Sequence, residues 1–363
     1  MNHAQWQQVN NVLCVRLDSL GDVLMCTPAI RAIKQSRAGR RVSLLTSRSG
    51  AAAAPYIAEL DEVLHYPAPW MKSSSPHTPF VDAAMVQSLT AQQFDAAIIF
   101  TSYSQSALPA AMLCYLAGIP LRLAHCRENP YQLLSDWVEE HEPVKLVRHE
   151  VRRQLDLVAR VGWQPATFEL SFSVPDEDLE RVRHHFAEYG IGPQQRIVLM
   201  HPGASAPSRR YPPKLWAEVI CGLWQRGGYT IILTGEQHER EIIDEIRELC
   251  RAPVYSLAGQ LNLGQLGAAI RLASVVVSNN TGPAHMAAAI GTPLVNLYAL
   301  TNPQHTPWQV DSRLLFHDVP CKFCYKSTCP EGHNNCLTKL PPQDVIDAIC
   351  ALAPRQLAEQ PAL

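Results

Sequence analysis

Ser274-Val-Val-Val-Ser-Asn-Asn-Thr-Gly-Pro-Ala-His-Met-Ala-Ala-Ala-Ile-Gly-Thr-Pro-Leu-Val-Asn-Leu-Tyr298 decides the fold. The β-branched run Val275 to Val277 has the composition of a buried strand. Asn279, Asn280, Thr281 and Gly282 form a tight turn. Pro283 suits the first position of a helix, where its missing N–H would have no partner anyway. Ala284 to Ile290 continues that helix and Gly291 stops it. Leu294 to Tyr298 is the next strand. Such a βαβ unit puts a helix N-terminus at the carboxyl end of a parallel sheet. Unpaired N–H groups and roughly half a positive charge favour an anion there, and Thr281 and His285 can add hydrogen bonds. Alone, the unit is an ordinary capped crossover helix; its meaning comes from the rest of the chain.

Working outward, the 363 residues suggest two α/β domains or one large one. The 47% apolar content is that of a globular protein, and a net charge of −2 argues against nucleic-acid binding. No apolar run approaches ~18 residues, the length that would read as a membrane-spanning helix. The polar stretch Met1 to Asn10 does not resemble a secretory signal, which predicts a cytoplasmic protein whose 11 cysteines are mostly reduced.

The chain begins with a strand, Val12 to Leu17, a turn at Asp18 to Gly21, and a helix from Asp22 to about Gln35 that Pro28 should kink or break. The pattern lacks the GxGxxG of a dinucleotide site. Asp22 at the helix start complements the dipole, or serves as a base at the mouth of the sheet. Strands follow at 41–46, 62–65 and 94–100, with an exposed loop over 66–79 and a helix over 80–92. Thr101 to Ser106 is a hydroxyl-rich loop facing the same crevice. Residues 125 to 145 read as irregular. The helix Leu146 to Val161 carries Arg148, His149, Arg152 and Arg153, cations that could meet an acidic substrate but read first as a solvated face.

Pro165 to Pro175 is the domain boundary, with strand-like alternation in Phe168, Leu170, Phe172 and Val174. Strands and helices alternate beyond it, which predicts a parallel doubly wound sheet. Its loops Gly203 to Arg209, Gly235 to Glu239, Gly259 to Asn262 and Asn279 to His285 fall on one edge. Glycine turns, an arginine and a helix N-terminus on one edge are what a diphosphate needs, and Glu236 or Glu239 can hold ribose hydroxyls. Near the end, Cys321, Cys324, Cys329 and Cys336 lie close in sequence with His333 among them. Such thiolates bind Zn²⁺ or iron; alternatively they are reduced cysteines packed in a loop. A last helix starts at Pro341-Pro342, and the residues past Pro354 read as a frayed tail.

Together these stretches resemble the ADP-heptose heptosyltransferases of lipopolysaccharide synthesis, glycosyltransferase family 9. The resemblance rests on Arg16-Leu17-Asp18-Ser19-Leu20-Gly21-Asp22-Val23, on His201-Pro202-Gly203-Ala204-Ser205 with Arg209-Arg210-Tyr211-Pro212, and on Ser278-Asn279-Asn280-Thr281-Gly282-Pro283-Ala284-His285. It implies a GT-B architecture, two Rossmann-like doubly wound domains facing across a cleft. Residues 1–172 would bind the acceptor, 173–345 the nucleotide sugar, and 346–363 would be a terminal helix and tail. It implies inverting transfer without a cofactor, with Asp22 as general base. Ser205, Arg209, Glu236, Glu239, Leu261, Asn280, Thr281, Gly282 and His285 would contact the donor, with Glu239 preferred over Glu236 for the ribose. Ser19, Gly21, Thr101 and Ser102 would face a glycan or glycolipid acceptor, with any inner-membrane contact peripheral. Asn280 stands where the family usually has Asp. The Cys-rich segment resembles that of the subgroup that heptosylates autotransporter proteins and holds iron. The alternatives are such a protein heptosyltransferase, or a nucleotide-sugar-binding homologue without turnover.

Overall fold

The structure is a computed structural model that describes residues 3–72 and 77–353. The chain divides into two compact units after Ser173. In the first unit the strands are β1 (Asn11–Arg16), β2 (Arg41–Thr46), β3 (Glu62–His65), β4 (Ala96–Ile99), β5 (Leu121–Cys126) and β6 (Asp136–Glu139). They form one sheet in the order β3-β2-β1-β4-β5-β6, every pair parallel. The second unit has β7 (Ile197–His201), β8 (Thr230–Leu233), β9 (Tyr255–Ser256), β10 (Val275–Asn279), β11 (Leu294–Leu297) and β12 (Ser312–Leu315), in the order β12-β11-β10-β7-β8-β9, again all parallel. Both are the doubly wound arrangement. The strand order reverses between β1 and β4 in one sheet and between β7 and β10 in the other, and ligands bind beyond the carboxyl ends of such a pair.

The central strands are apolar on both faces because helices cover both faces. Leu13, Val15, Ala97 and Ile99 pack with Leu113 in the first core, and Val198, Trp216, Ile220, Val277 and Val295 in the second. The helix after β1 starts at Leu20 and runs past Pro28 to Gln35 as one element. Gly291 ends the helix Gly282–Ile290 in the left-handed conformation, φ +84°, at no steric cost.

Five expectations need correction. The segment 125–145 is not irregular throughout, since it supplies β6 at the sheet edge. The helix expected over 146–161 covers only Glu150–Ala159, with His149 as its N-cap. Residues 168–174 form no strand. Their alternation reflects burial of Leu170 and Phe172, while the backbone is tied by side chains: Ser171 N–H donates to Thr27 Oγ1 (2.9 Å) and Arg31 Nη1 to the Glu169 carbonyl (2.7 Å). The loop 66–79 is not wholly exposed, because Tyr66 and Ala68 are core residues; 73–76 lie outside the described residues. The terminal helix Pro342–Leu352 crosses the 345–346 division and packs Val345, Ile346 and Ile349 into the second core. The tail past Pro354 lies outside the described residues. Among the described residues no helix is long and apolar enough to cross a membrane.

Candidate active site

A charged residue at the end of a buried strand must find partners, because desolvating a lone charge is costly. Arg16, the last residue of β1, is 1% exposed and finds three. Its Nη1 meets Glu150 Oε1 at 2.7 Å, its Nε meets Asp18 Oδ2 at 2.8 Å, and its Nη2 meets Asp22 Oδ1 at 3.1 Å. Asp22 lies in the first turn of the helix Leu20–Gln35. Its Oδ2 accepts from the Ser19 amide (3.1 Å) and hydroxyl (2.6 Å), a capping box that fixes the carboxylate at the sheet edge. Asp18 also accepts from Gln105 Nε2 at 2.6 Å. Burial and the charges of Asp22 and Glu150 raise the Asp18 pKa, against the opposing pull of Arg16 and Gln105.

A pocket of about 480 Å³ opens at the β1–β4 switch point, lined by Asp18, Trp70, Lys72, Thr101, Gln105 and Ser106 among others. An indole with hydroxyl, amide and charged groups around it is a lining that suits a sugar ring. Of the acceptor-side residues expected from sequence, Thr101 lines this pocket and Ser19 holds Asp22. Gly21 is buried in the helix start, and Ser102 sits in the adjoining turn, where its hydroxyl meets Ser104 at 3.0 Å. Arg16, Asp18, Gln105 and Glu150 were given no role from sequence, although an arginine closing an apolar strand was the available signal. The cationic helix face needs correction as well. Arg153 is 1% exposed and its Nε meets Glu140 Oε2 at 3.0 Å, while Arg148 pairs with Glu142 and Asp156. Arg152 alone of those three arginines is largely exposed.

The second unit places Ser205, Arg209, Asn280, Thr281, Gly282 and His285 after β7 and β10, the pair at its switch point, while Glu236 and Glu239 follow β8 and Leu261 follows β9. Asn279 joins the two strands: its Nδ2 donates to the Pro202 carbonyl (2.8 Å) and its Oδ1 accepts from Tyr211 N–H (3.2 Å). Asn280 is buried, and its Oδ1 accepts from Ala299 N–H at 3.3 Å. An aspartate could accept that bond equally well, so Asn280 keeps the tie to β11 and drops the charge. Arg209 Nη1 donates to the Asn280 carbonyl at 3.3 Å, and its buried Nε has no partner among the described residues. Thr281 is the N-cap and Gly282 the first residue of the helix Gly282–Ile290, but the Thr281 amide is committed to the Asn279 carbonyl at 2.8 Å. His285 is buried with its ring 6.4 Å from that of His305.

The two candidate glutamates separate clearly. Glu236 is 76% exposed and pairs with His238. Glu239 is half-buried, its side chain 10% exposed against Gly203; it meets His201 Nε2 at 3.4 Å and accepts from Glu236 N–H at 2.9 Å. The His201 and Glu236 contacts outweigh burial and hold its carboxyl below the usual range. A Cβ on Gly203 would come within 1.9 Å of Glu239 Oε1, so only glycine lets the carboxylate lie there. Ser205 is exposed on its loop, and Leu261 is half-buried just before Asn262, which caps the helix Leu263–Leu272.

The possible metal at the Cys-rich segment finds no support in the geometry. Among the described residues no three His, Cys, Asp or Glu side chains are gathered to hold an ion. Cys321 Sγ lies 3.9 Å from His333 Nε2, Cys329 Sγ accepts from Asn334 N–H (3.4 Å), and Cys336 packs with Cys321 against the Tyr298, Leu300 and Val319 cluster. Burial raises the Cys336 thiol pKa. The Cys-rich segment acts instead as a strap. Phe323 and Tyr325 N–H donate to the Leu300 and Thr301 carbonyls, both at 2.7 Å. The Ser208 amide and hydroxyl donate to the carbonyls of Ser327 (3.0 Å) and Lys326 (2.8 Å), which fixes the loop that carries Arg209.

The model of glycosyltransferase family 9 (heptosyltransferase) matches residues 83–335. The chain belongs to glycosyltransferase family 9. It is therefore an enzyme of glycosyl transfer. This family 9 chain is 24% identical over 341 residues to lipopolysaccharide heptosyltransferase 3 of Escherichia coli, covering 92% of this chain and 96% of that one. Among solved structures it is similar to a family 9 glycosyl transferase from Veillonella parvula, with TM-score 0.81, 18% identity, and 95% and 97% of the two chains covered. It is also similar to the E. coli ADP-heptose lps heptosyltransferase II, with TM-score 0.73, 22% identity, and 94% and 98% covered. The two six-stranded parallel sheets are those of the GT-B fold.

Proposed function

We propose that this family 9 enzyme transfers heptose from ADP-heptose, with inversion, to a sugar of a lipopolysaccharide core or related glycan. The observation that carries the reading is the Asp22 carboxylate held by Arg16 and Ser19 at the mouth of the first sheet. Asp22 takes the proton of the acceptor hydroxyl as that oxygen bonds to the anomeric carbon. The bond from that carbon to the diphosphate oxygen breaks, and ADP leaves with the electron pair. Attack from the face opposite the leaving group inverts the centre. Ser205, Arg209 and the helix N-terminus at Thr281 and Gly282 balance the charge developing on the diphosphate, an electrostatic contribution to the barrier. Glu239 accepts from the ribose hydroxyls, and His285, Asn280 and Leu261 complete the donor contacts. The acceptor binds beside Asp18, Trp70 and Thr101, and contact with a membrane carrying it is peripheral.

The reading is tested by calorimetric titration with ADP, UDP, GDP and CDP. ADP is expected to bind selectively; preference for another base would remove ADP-heptose as the donor. A second expected result concerns Gly203→Ala. The new methyl displaces Glu239, and losing a hydrogen bond to a charged group should weaken ADP binding about tenfold or more. The fold should survive, because what must move is the end of a flexible side chain. Unchanged ADP affinity in that variant would exclude Glu239 from the ribose contact.

A further inference from the structure

We infer that Asp18 and Glu150 keep Asp22 basic by sharing the Arg16 guanidinium with it, so that Asp18 is a positioning residue for proton transfer. This rests on the reading of Asp22 as the base. A carboxylate paired one-to-one with a buried arginine is held ionised, with its pKa lowered by about 1–3 units, and makes a poor proton acceptor. Here one cation meets three carboxylates. Glu150 at 2.7 Å and Asp18 at 2.8 Å hold the guanidinium more closely than Asp22 does at 3.1 Å. Arg16 is 1% exposed and Glu150 0%, so these charges act on one another with little screening by water.

The titratable groups around the Arg16 guanidinium include Asp18 from the loop after β1, Asp22 and Cys26 from the helix Leu20–Gln35, and Glu150 from the helix Glu150–Ala159, with Cys14 of β1 beside Cys26 and His149 as the N-cap before Glu150. Burial pushes the Cys26 thiol far up, so it stays uncharged. Among these groups the three carboxylates outnumber the one guanidinium they share; the Asp18 pKa is raised first by burial, with the Asp22 and Glu150 charges adding to that rise against the pull of Arg16 and Gln105. The excess of carboxylates favours a proton arriving on Asp22. Asp18 also lines the 480 Å³ pocket and is held by Gln105, so it places the excess charge where an acceptor hydroxyl docks.

The test is a carboxylate-carbon NMR titration of the full chain labelled at aspartate, with the Asp22 signal assigned by its loss in Asp22→Asn. In Asp18→Asn the Asp22 midpoint should fall by about one pH unit, and in Asp18→Glu, which keeps the charge, it should stay near the parent value. The acid limb of the kcat/KM profile should move the same way. A midpoint that is unmoved or raised in Asp18→Asn overturns the proposal, as does a fall of equal size in Asp18→Glu. Near-parent turnover by Asp22→Asn overturns the base reading instead and leaves the titration result standing.

Discussion

Asp22→Asn is expected to lower kcat by about 10²–10⁴-fold with ADP affinity unchanged. The amide keeps an oxygen that can accept from the Ser19 amide, so the helix cap survives, and Arg16 keeps Asp18 and Glu150. What is lost is a group able to take a proton at the sheet mouth. ADP affinity should not respond, because the residues assigned to the donor all lie in the unit after Ser173. Steady-state kinetics beside calorimetry separates the two effects. Turnover within a few-fold of the parent would sink the assignment, and a parallel loss of ADP binding would show that the variant is misfolded.

Arg16→Met is expected to destabilise the first unit by about 3–5 kcal/mol, the usual consequence of removing one partner from a buried ion pair. Methionine fills a similar volume but leaves Glu150, 0% exposed, and two further carboxylates without the cation. In a unit of this size that corresponds to a fall in melting temperature of roughly 10 °C. The pH dependence identifies the cause. With Arg16 gone, the folded-state pKa values of these carboxylates rise above the unfolded ones. Their favourable contribution is then present below the unfolded pKa and lost as pH rises through the folded pKa. The gap between variant and parent should therefore narrow on acidification from neutral pH. Thermal melts at two pH values decide it: a gap that is small, or the same at both, would show that the cluster does not depend on Arg16.

Much of this was legible in the sequence where the signal is local. The run Val275 to Val277, the Asn279–Gly282 turn and Pro283 specify the strand, the turn and the helix start within a few residues of one another. The Asp22 turn is equally local. The Arg16 cluster was not legible, since Arg16 and Glu150 are 134 positions apart and only the parallel order of β1 and β4 with the covering helix brings them together. Strands β6 and β12 escaped notice because short edge strands with charged residues lack an apolar signature. Arg153 read as solvated because its partner Glu140 belongs to a segment taken as irregular. Cysteine spacing suggested ligands, but it carries no information on whether a loop turns its sulfurs inward together or packs them apart.

The strap that fixes Ser208 comes from residues 326 and 327, and the helix Pro342–Leu352 that completes the core beneath it comes later still. During synthesis the first unit can close while the second is still emerging, since domains fold as they are made, N-terminal first. The Arg209 loop, written before residue 210, has to wait until more than a hundred further residues have been added before its anchor exists. The loop that carries Arg209 thus gains its hold on Ser208 only after residues 326 and 327 have been made.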